Sequence, residues 1–134
     1  VATASNAEER LQAGLDGFLS FVEERRGAWR LLIRHSADAG ITATFERLFD
    51  EIAEAIGALM AQEVPATASP EGIEFDMAVA AIARQLLGSI RAIADWWDEN
   101  REITREQILV MVMEFSWVGM QRVASGETWM PAAD

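Results

Sequence analysis

The chain has 134 residues, of which 51% are hydrophobic, and a formal net charge of −11. This length and composition predict one folded domain spanning residues 1–134. All eleven basic residues are Arg, and the chain has no Cys, which excludes Schiff-base lysines, disulfides and thiolate metal sites. The acidity argues against direct nucleic-acid binding, which needs a basic face. The apolar run at 108–113 is too short to cross a bilayer, so we expect no membrane span. The absence of Cys fits a reducing cytoplasm, which is the compartment we expect.

Helical periodicity runs through the whole chain, so the predicted fold class is all-α. The first helix is expected to begin near Ser5 or Asn6, since either residue can cap a helix N-terminus. Arg25-Arg26-Gly27 is expected to end it, because glycine after basic residues is typical of a helix C-terminus. Its inward residues recur at helical spacing and are Leu11, Leu15, Phe18, Leu19 and Val22.

The next two helices differ in length. The second is short, ends near Gly40 and turns three apolar residues inward, namely Trp29, Leu32 and Ile33. The third is predicted from about Thr42 to Gln62, with a single apolar stripe made of Phe45, Leu48, Phe49, Ile52, Ile56 and Leu59. Residues 64–70 contain two prolines and are predicted to form a loop.

The fourth helix is predicted to begin at Pro70-Glu71 and to reach about Asn100. One face carries large apolar residues: Phe75, Val79, Ile82, Leu86, Ile90, Ile93 and Trp97. A second face is lined with small residues that let another helix approach closely: Ala80, Ala81, Ala83, Gly88, Ala92 and Ala94. Trp96 is expected to cover the turn that follows.

Thr104 and Gln107 form a capping box that begins the fifth helix, and Gly126 is expected to end it. The tail is expected to lie loose except at Trp129 and Met130. Five helices with short connections predict an antiparallel five-helix bundle.

The last helix has almost no polar side. Between residues 108 and 120 only Glu114 is charged, and Gln107, Glu114 and Gln121 recur every seven residues as one narrow line. One apolar side can pack on the bundle, but the other needs a second cover, so we predict a homodimer formed through the last two helices. The candidate interface residues are Ala81, Gly88, Ala92, Leu109, Val112, Ser116, Gly119, Met120 and Val123.

Two stretches resemble a known family. Residues 15–32 (LDGFLSFVEERRGAWRLL) give a helix, a short turn, an aromatic residue and a Leu pair. Residues 86–120 (LLGSIRAIADWWDENREITREQILVMVMEFSWVGM) give a long helix ending in a Trp pair, an acidic turn and a last helix with a Trp-x-Gly step. This layout resembles the C-terminal domain of tetracycline-repressor-like (TetR family) transcriptional regulators. The resemblance covers nearly the whole chain and implies an effector-binding and dimerisation domain.

The resemblance also implies partners and a mechanism. Family members grip operator DNA with an N-terminal helix-turn-helix domain, which we expect to be absent from this chain, so DNA would be reached only through that domain. A small apolar or amphipathic effector would fill a cavity walled by the first four helices. The helices would then shift, and the paired DNA-reading domains of a repressor would leave their half-site spacing.

Aromatic and Met side chains on converging faces are the candidate effector-binding residues, because ligand pockets are mostly apolar with few placed polar groups. The set is Phe18, Phe21, Val22, Leu32, Phe45, Phe49, Ile52, Arg84, Gln85, Met111 and Phe115. Arg84 and Gln85 interrupt an apolar run, and Arg84 could pair with an anionic ligand group or with Glu114 across the dimer. The simpler interpretation is that the aromatic residues only fill the core and that Arg84 reaches solvent or pairs with an acid.

No residue pattern indicates catalysis, a metal or a cofactor. His35 is the only histidine, and no Ser-His-Asp set with supporting spacing accompanies it. Two alternatives stay open, namely a helical-bundle carrier or enzyme for an apolar ligand, and a protein-interaction module with a solid core. A closed apolar cavity between the first, third and fourth helices would favour the effector interpretation.

Overall fold

The computed structural model describes residues 2–33, 39–63, 71–127 and 129–132. Over those residues the chain forms α-helices and no strand, which confirms the all-α prediction. The helices are α1 (Ala2–Glu24), α2 (Arg26–Ile33), α3 (Ala39–Glu63), α4 (Phe75–Asp98) and α5 (Arg105–Ala124).

The first two helices follow each other with almost no linker. Leu15, Leu19 and Val22 are buried along one face of α1, as the spacing predicts. The predicted start and end of α1 were wrong, because the helix begins at Ala2 and only Arg25 separates it from α2. Gly27 lies inside α2 and therefore does not end a helix. Residues 34–38, which include His35, lie outside the described residues.

The third helix buries a narrower stripe than its sequence predicts. It begins at Ala39, before the predicted start, and buries Phe45 and Ala53. Of the other predicted core positions on this helix, Phe49 and Ile56 are partly buried, whereas Leu48, Ile52 and Leu59 are exposed. The reason is that α3 packs mainly on one neighbour, α4, and a helix with one neighbour buries only the side that faces it.

The fourth helix runs along both the main core and α3. Val79, Leu86, Ile90 and Trp97 are buried, which confirms the predicted stripe. The predicted start was wrong, since a turn with Gly72 at φ +83° precedes the helix and Phe75 begins it. By length and composition alone α4 could span a membrane, but it packs against α3 and the bundle core, and 39% of its most apolar window is buried.

The turn between α4 and α5 is closed by side-chain hydrogen bonds. Trp97 Nε1 donates to the carbonyl of Ile103 at 2.7 Å. The predicted capping box is present, because the Gln107 backbone N–H donates to Thr104 Oγ1 at 3.1 Å and the Thr104 N–H donates to Gln107 Oε1 at 2.9 Å. These bonds satisfy donors that a helix N-terminus otherwise leaves free.

The main hydrophobic core lies between α1, α2, α4 and α5. Its buried members are Leu15, Leu19, Val22, Trp29, Leu86, Ile90, Ala94, Trp97, Ile108 and Val112. Gly126 follows α5 with φ +96°, which confirms the predicted helix stop. Trp129 and Met130 are exposed, so the prediction that they anchor the tail was wrong.

Candidate functional site

The predicted effector-binding aromatic residues form two ring contacts. Phe18 meets Trp29 edge to face, with ring centroids 5.3 Å apart. Phe45 and Phe49 lie 4.6 Å apart, and the Arg91 guanidinium stands 5.3 Å from each ring centroid. The first contact joins α1 to α2, the second lies within α3, and Arg91 on α4 covers the second pair. The predicted aromatic residues therefore lie in two separate ring pairs, one between α1 and α2 and one on α3.

The other predicted effector-binding residues are more scattered. Val22 is fully buried in the core, and Phe21 packs partly buried against it. Ile52 is exposed on α3, and the Leu32 side chain lies outside the described residues. Met111 and Phe115, predicted to turn toward the pocket, are 43% and 81% exposed on α5. The structure therefore does not bring these two side chains into the core with the aromatic pairs.

The predicted polar group of the pocket has a partner on the protein surface. Arg84 Nη1 lies 2.9 Å from Asp50 Oδ1, and both side chains are more than half exposed. Gln85 is exposed as well. This is the simpler of the two sequence interpretations, in which Arg84 pairs with an acid near solvent.

Two surface depressions in the described part of the chain lie along α4. One of about 520 Å³ lies at the turn between α4 and α5, and one of about 260 Å³ lies between α3 and α4. Both open to solvent. Of the predicted effector-binding residues, only Arg84 lines either depression.

The predicted dimer residues divide between surface and interior. Ala81, Gly88, Ala92 and Gly119 are exposed, and Leu109, Met120 and Val123 are partly buried. Val112 and Ser116 are buried inside the protomer.

Large apolar side chains are also exposed on the last two helices. On α5 these are Val110, Met111, Phe115 and Val118, and on α4 they include Trp96. At helical spacing, residues 81, 85, 88, 92 and 96 share one side of α4, and residues 111, 115, 118 and 122 share one side of α5. We call these two stripes together the α4–α5 outer face.

Two glycines on α4 and α5 are not required by packing within the protomer. A Cβ added at Gly88 or Gly119 would meet no heavy atom within 4 Å. Glycine in a helix interior costs about 1 kcal/mol relative to Ala. Neither glycine is therefore explained by the contacts of a single chain.

A buried carboxylate fixes the end of α4 to α2. Arg26 Nε donates to Asp98 Oδ1 at 2.8 Å, and Arg30 Nε donates to Asp98 Oδ2 at 2.7 Å. Arg26 Nη2 also donates to the Asp98 carbonyl at 2.9 Å. The Asp98 side chain is fully buried, whereas the two arginines are partly exposed. We call these three residues the Asp98 clamp.

The clamp keeps its acid ionised. Burial by itself would raise the pKa of Asp98, but hydrogen bonds from Arg30 and Arg26 and their charges lower it below the ordinary value of 3.8. The ionised carboxylate can therefore remain in the interior with both oxygens paired.

The sequence interpretation missed the Asp98 clamp. It assigned Arg26 to a helix stop and gave Asp98 no role. A signal was present, because Arg26 and Arg30 are spaced i, i+4 and face the same side of a helix. Asp98 also directly follows the core residue Trp97.

Among the described residues, three buried side-chain nitrogens make no hydrogen bond, namely Trp29 Nε1, Arg105 Nε and Trp117 Nε1. Trp29 is 1% exposed, and its indole Nε1 makes no hydrogen bond. An unpaired buried donor costs roughly 1–3 kcal/mol. The position lies beside Phe18, one of the predicted effector-binding residues.

The described residues define an all-α bundle whose last two helices meet at a capped turn and keep apolar stripes exposed. The chain matches the family model described as Tetracyclin repressor-like, C-terminal domain, over residues 7–119, and it therefore belongs to that family. This confirms the resemblance seen in the sequence. Domains of this family belong to regulators and not to enzymes. No curated protein and no solved structure matches the chain.

Proposed function

We propose that this chain is the effector-binding and homodimerisation domain of a TetR-like repressor that acts in the cytoplasm. A small, largely apolar molecule binds inside the domain and releases DNA allosterically. DNA contact is made by an N-terminal helix-turn-helix domain of a longer protein. The single observation that carries the regulator assignment is the family match over residues 7–119.

The α4–α5 outer face supports homodimerisation. Phe115 is 81% exposed, and Met111 and Val118 lie near it on the same stripe. Contiguous exposed apolar side chains of this kind mark association surfaces. Gly88 and Gly119 leave open space that a second helix can approach closely.

Two features support an effector site among α1, α2 and α3. The aromatic pairs Phe18–Trp29 and Phe45–Phe49 supply apolar walls. The unpaired Trp29 Nε1 supplies a donor, which an effector carrying one hydrogen-bond acceptor would satisfy.

The Asp98 clamp supports a route between the effector and the dimer. Because it holds α2 to the end of α4, a displacement of α2 has to move α4 or break the clamp. Since α4 also contributes to the α4–α5 outer face, an effector that moves α2 changes the geometry of the dimer.

A protein-interaction module with a solid core is the second candidate. It is favoured by the two depressions, which open to solvent, and by the exposed side chains of Leu48, Ile52 and Leu59 on α3. In that case the apolar faces meet other proteins and no effector enters the bundle.

The dimer is tested by replacing Phe115, the most exposed apolar residue of the α4–α5 outer face. We expect the wild-type chain to sediment at twice its chain mass at micromolar concentration and Phe115→Glu to sediment as a monomer. The buried charge would cost several kcal/mol at an interface but almost nothing on a free surface. Leu48→Glu on α3 is the matched control and is expected to stay dimeric. A monomeric wild type would contradict the proposal.

The effector site is tested by thermal shift with indole, toluene and decanoate. A ligand that binds the native state raises the melting temperature in proportion to RT ln(1 + [L]/Kd). We expect decanoate, the probe that carries a hydrogen-bond acceptor, to stabilise the wild type and to have a smaller effect on Trp29→Phe, which removes the indole donor but keeps a large ring. Equal shifts in both proteins would mean that the Trp29 donor does not contact the ligand, and no shift with any probe would favour the interaction module.

A further inference from the structure

The larger depression lies where two turns of the bundle meet. It has a volume of about 520 Å³ and lies between the end of α1, the start of α2 and the turn from α4 to α5. Three arginines line it, namely Arg26, Arg101 and Arg105. Glu23 and Glu106 line it too, so its lining has one more positive than negative side chain, in a chain with eleven basic and 22 acidic residues.

Two of these arginines, Arg26 and Arg101, belong to a group of guanidinium groups around Asp98, which lies next to the depression. Arg26 and Arg30 occupy both carboxylate oxygens of Asp98, at 2.8 and 2.7 Å. Arg101 Nε stands farther away, at 4.0 Å from Oδ1. Three guanidinium groups thus surround one carboxylate, and we call this group the cationic pole.

Arg101 is held in place with part of its guanidinium facing the depression. Its Cζ lies 5.0 Å from the centroid of the Trp97 ring, and its side chain is 24% exposed. Its Nη2 reaches the Glu23 carbonyl only at 3.4 Å, a long hydrogen bond. Burial lowers the pKa of Arg101 and the neighbouring Arg26 lowers it further, whereas Asp98 and Glu23 raise it. An anion beside Arg101 would relieve the repulsion between the two guanidinium groups.

Arg105, the third arginine of the depression, is surrounded by carboxylates. Arg105 lies 3.2 Å from Asp16, 3.1 Å from Glu23 and 4.0 Å from Glu106. Three carboxylates around one guanidinium make an acidic pole next to the cationic pole. A ligand with several anionic groups would be repelled there, so the depression fits a single anionic group.

We propose that this depression binds an organic monocarboxylate. The carboxylate accepts hydrogen bonds from Arg101, and the apolar remainder lies against Ile103, which also lines the depression. The site is independent of the proposed effector site, because the depression contains none of the predicted effector-binding residues.

Calorimetric titration with hexanoate at constant ionic strength tests the proposal. We expect saturable binding of hexanoate, and weaker binding of both hexanol and inorganic phosphate. Hexanol lacks the charge that the cationic pole attracts, and phosphate carries charge that the acidic pole repels. Phosphate binding as tightly as hexanoate would overturn the monocarboxylate assignment, and so would the absence of saturable hexanoate binding.

Arginine variants locate the site. Arg101→Gln is expected to weaken hexanoate binding about tenfold or more, as for the loss of a charge-assisted hydrogen bond. The affinity of Arg101→Lys for hexanoate is expected to lie between those of Arg101→Gln and the wild type, because Lys keeps the charge but loses the planar guanidinium fork. Arg84→Gln, at an exposed arginine paired with Asp50 elsewhere, is the control and should bind as the wild type does. Equal affinity in Arg101→Gln and wild type would place hexanoate elsewhere, which overturns this site but leaves the effector and dimer proposals standing.

Discussion

Asp98 shows how one residue can hold two helices together. Its buried carboxylate accepts from two arginines that lie one helical turn apart on α2. The arginines are partly exposed and the carboxylate is not. The cost of breaking the clamp is therefore asymmetric, because an unpaired arginine can reach water and an unpaired Asp98 cannot.

The Asp98 clamp predicts a specific dependence of stability on pH. The folded pKa of Asp98 lies below the ordinary value of 3.8, so the unfolded chain binds more protons as the pH falls through that value. The contribution of the clamp to stability is present above this pH and is lost below it, as the pH falls through the folded pKa. Asp98 is surrounded there by Arg26, Arg30 and Arg101.

We expect Asp98→Asn to reduce the free energy of unfolding by roughly 1.5–3 kcal/mol at neutral pH, the range for hydrogen bonds to charged groups. Its stability should also fall less steeply than that of the wild type below pH 3.8. Urea unfolding at several pH values measures both effects. Asp50→Asn, at an exposed ion pair, is the control and should stay within about 0.5 kcal/mol of wild type. Parallel pH curves for Asp98→Asn and wild type would rule out this role.

For single residues, the sequence predicts which side chains are buried better than it predicts which charged side chains pair. Leu15, Leu19 and Trp97 are recognised as core from helical spacing alone. The partners of Asp98 and Arg84 cannot be recognised in this way, because each pair joins residues far apart in sequence. Helical periodicity contains no information about which charged side chains meet across two helices.

The helices differ in how far their sequences determine their packing. The start of α5 is predicted correctly because the capping box is local, with both hydrogen bonds between Thr104 and Gln107. The exposed part of α3 is not predicted, since the apolar stripe says which side can be buried but not how many neighbours will cover it. The helix α5 is apolar both where it packs on the core and where it is exposed.

Glycine variants test whether α4 is approached closely by another helix. Gly88→Ala is expected to stabilise the protomer by up to about 1 kcal/mol, because Ala favours the helix. It should also raise the dimer dissociation constant, because the added methyl group separates the two helices. Gly17→Ala on α1 is the matched control, since its Cβ likewise meets nothing within 4 Å.

Thermal unfolding and sedimentation equilibrium measure the two effects separately. Gly17→Ala should raise the melting temperature without changing dimerisation. If both alanine variants dimerise equally well, Gly88 does not lie in a close helix contact.

In the whole molecule, three parts of one bundle bear on the proposed function. Aromatic contacts lie on α1, α2 and α3, the Asp98 clamp joins α2 to α4, and the α4–α5 outer face remains open. The family match shows that the chain is a TetR-like C-terminal domain. That class could be predicted from the sequence, because helix lengths, the Trp pair and the apolar last helix lie within continuous stretches. The positions of Met111 and Phe115 could not, because a helix that is apolar on two sides does not reveal which side faces inward.

Cross-linking through single cysteines tests the central claim, which is self-association through the α4–α5 outer face. The chain contains no Cys, so Met111→Cys and Val118→Cys each introduce a unique thiol. A two-fold axis brings equivalent residues of two copies together, and a short bis-maleimide should therefore link one or both variants into covalent dimers at micromolar concentration. Leu48→Cys on α3 should remain unlinked. Cross-linking of Leu48→Cys at least as efficient as that of both α5 variants would contradict the account.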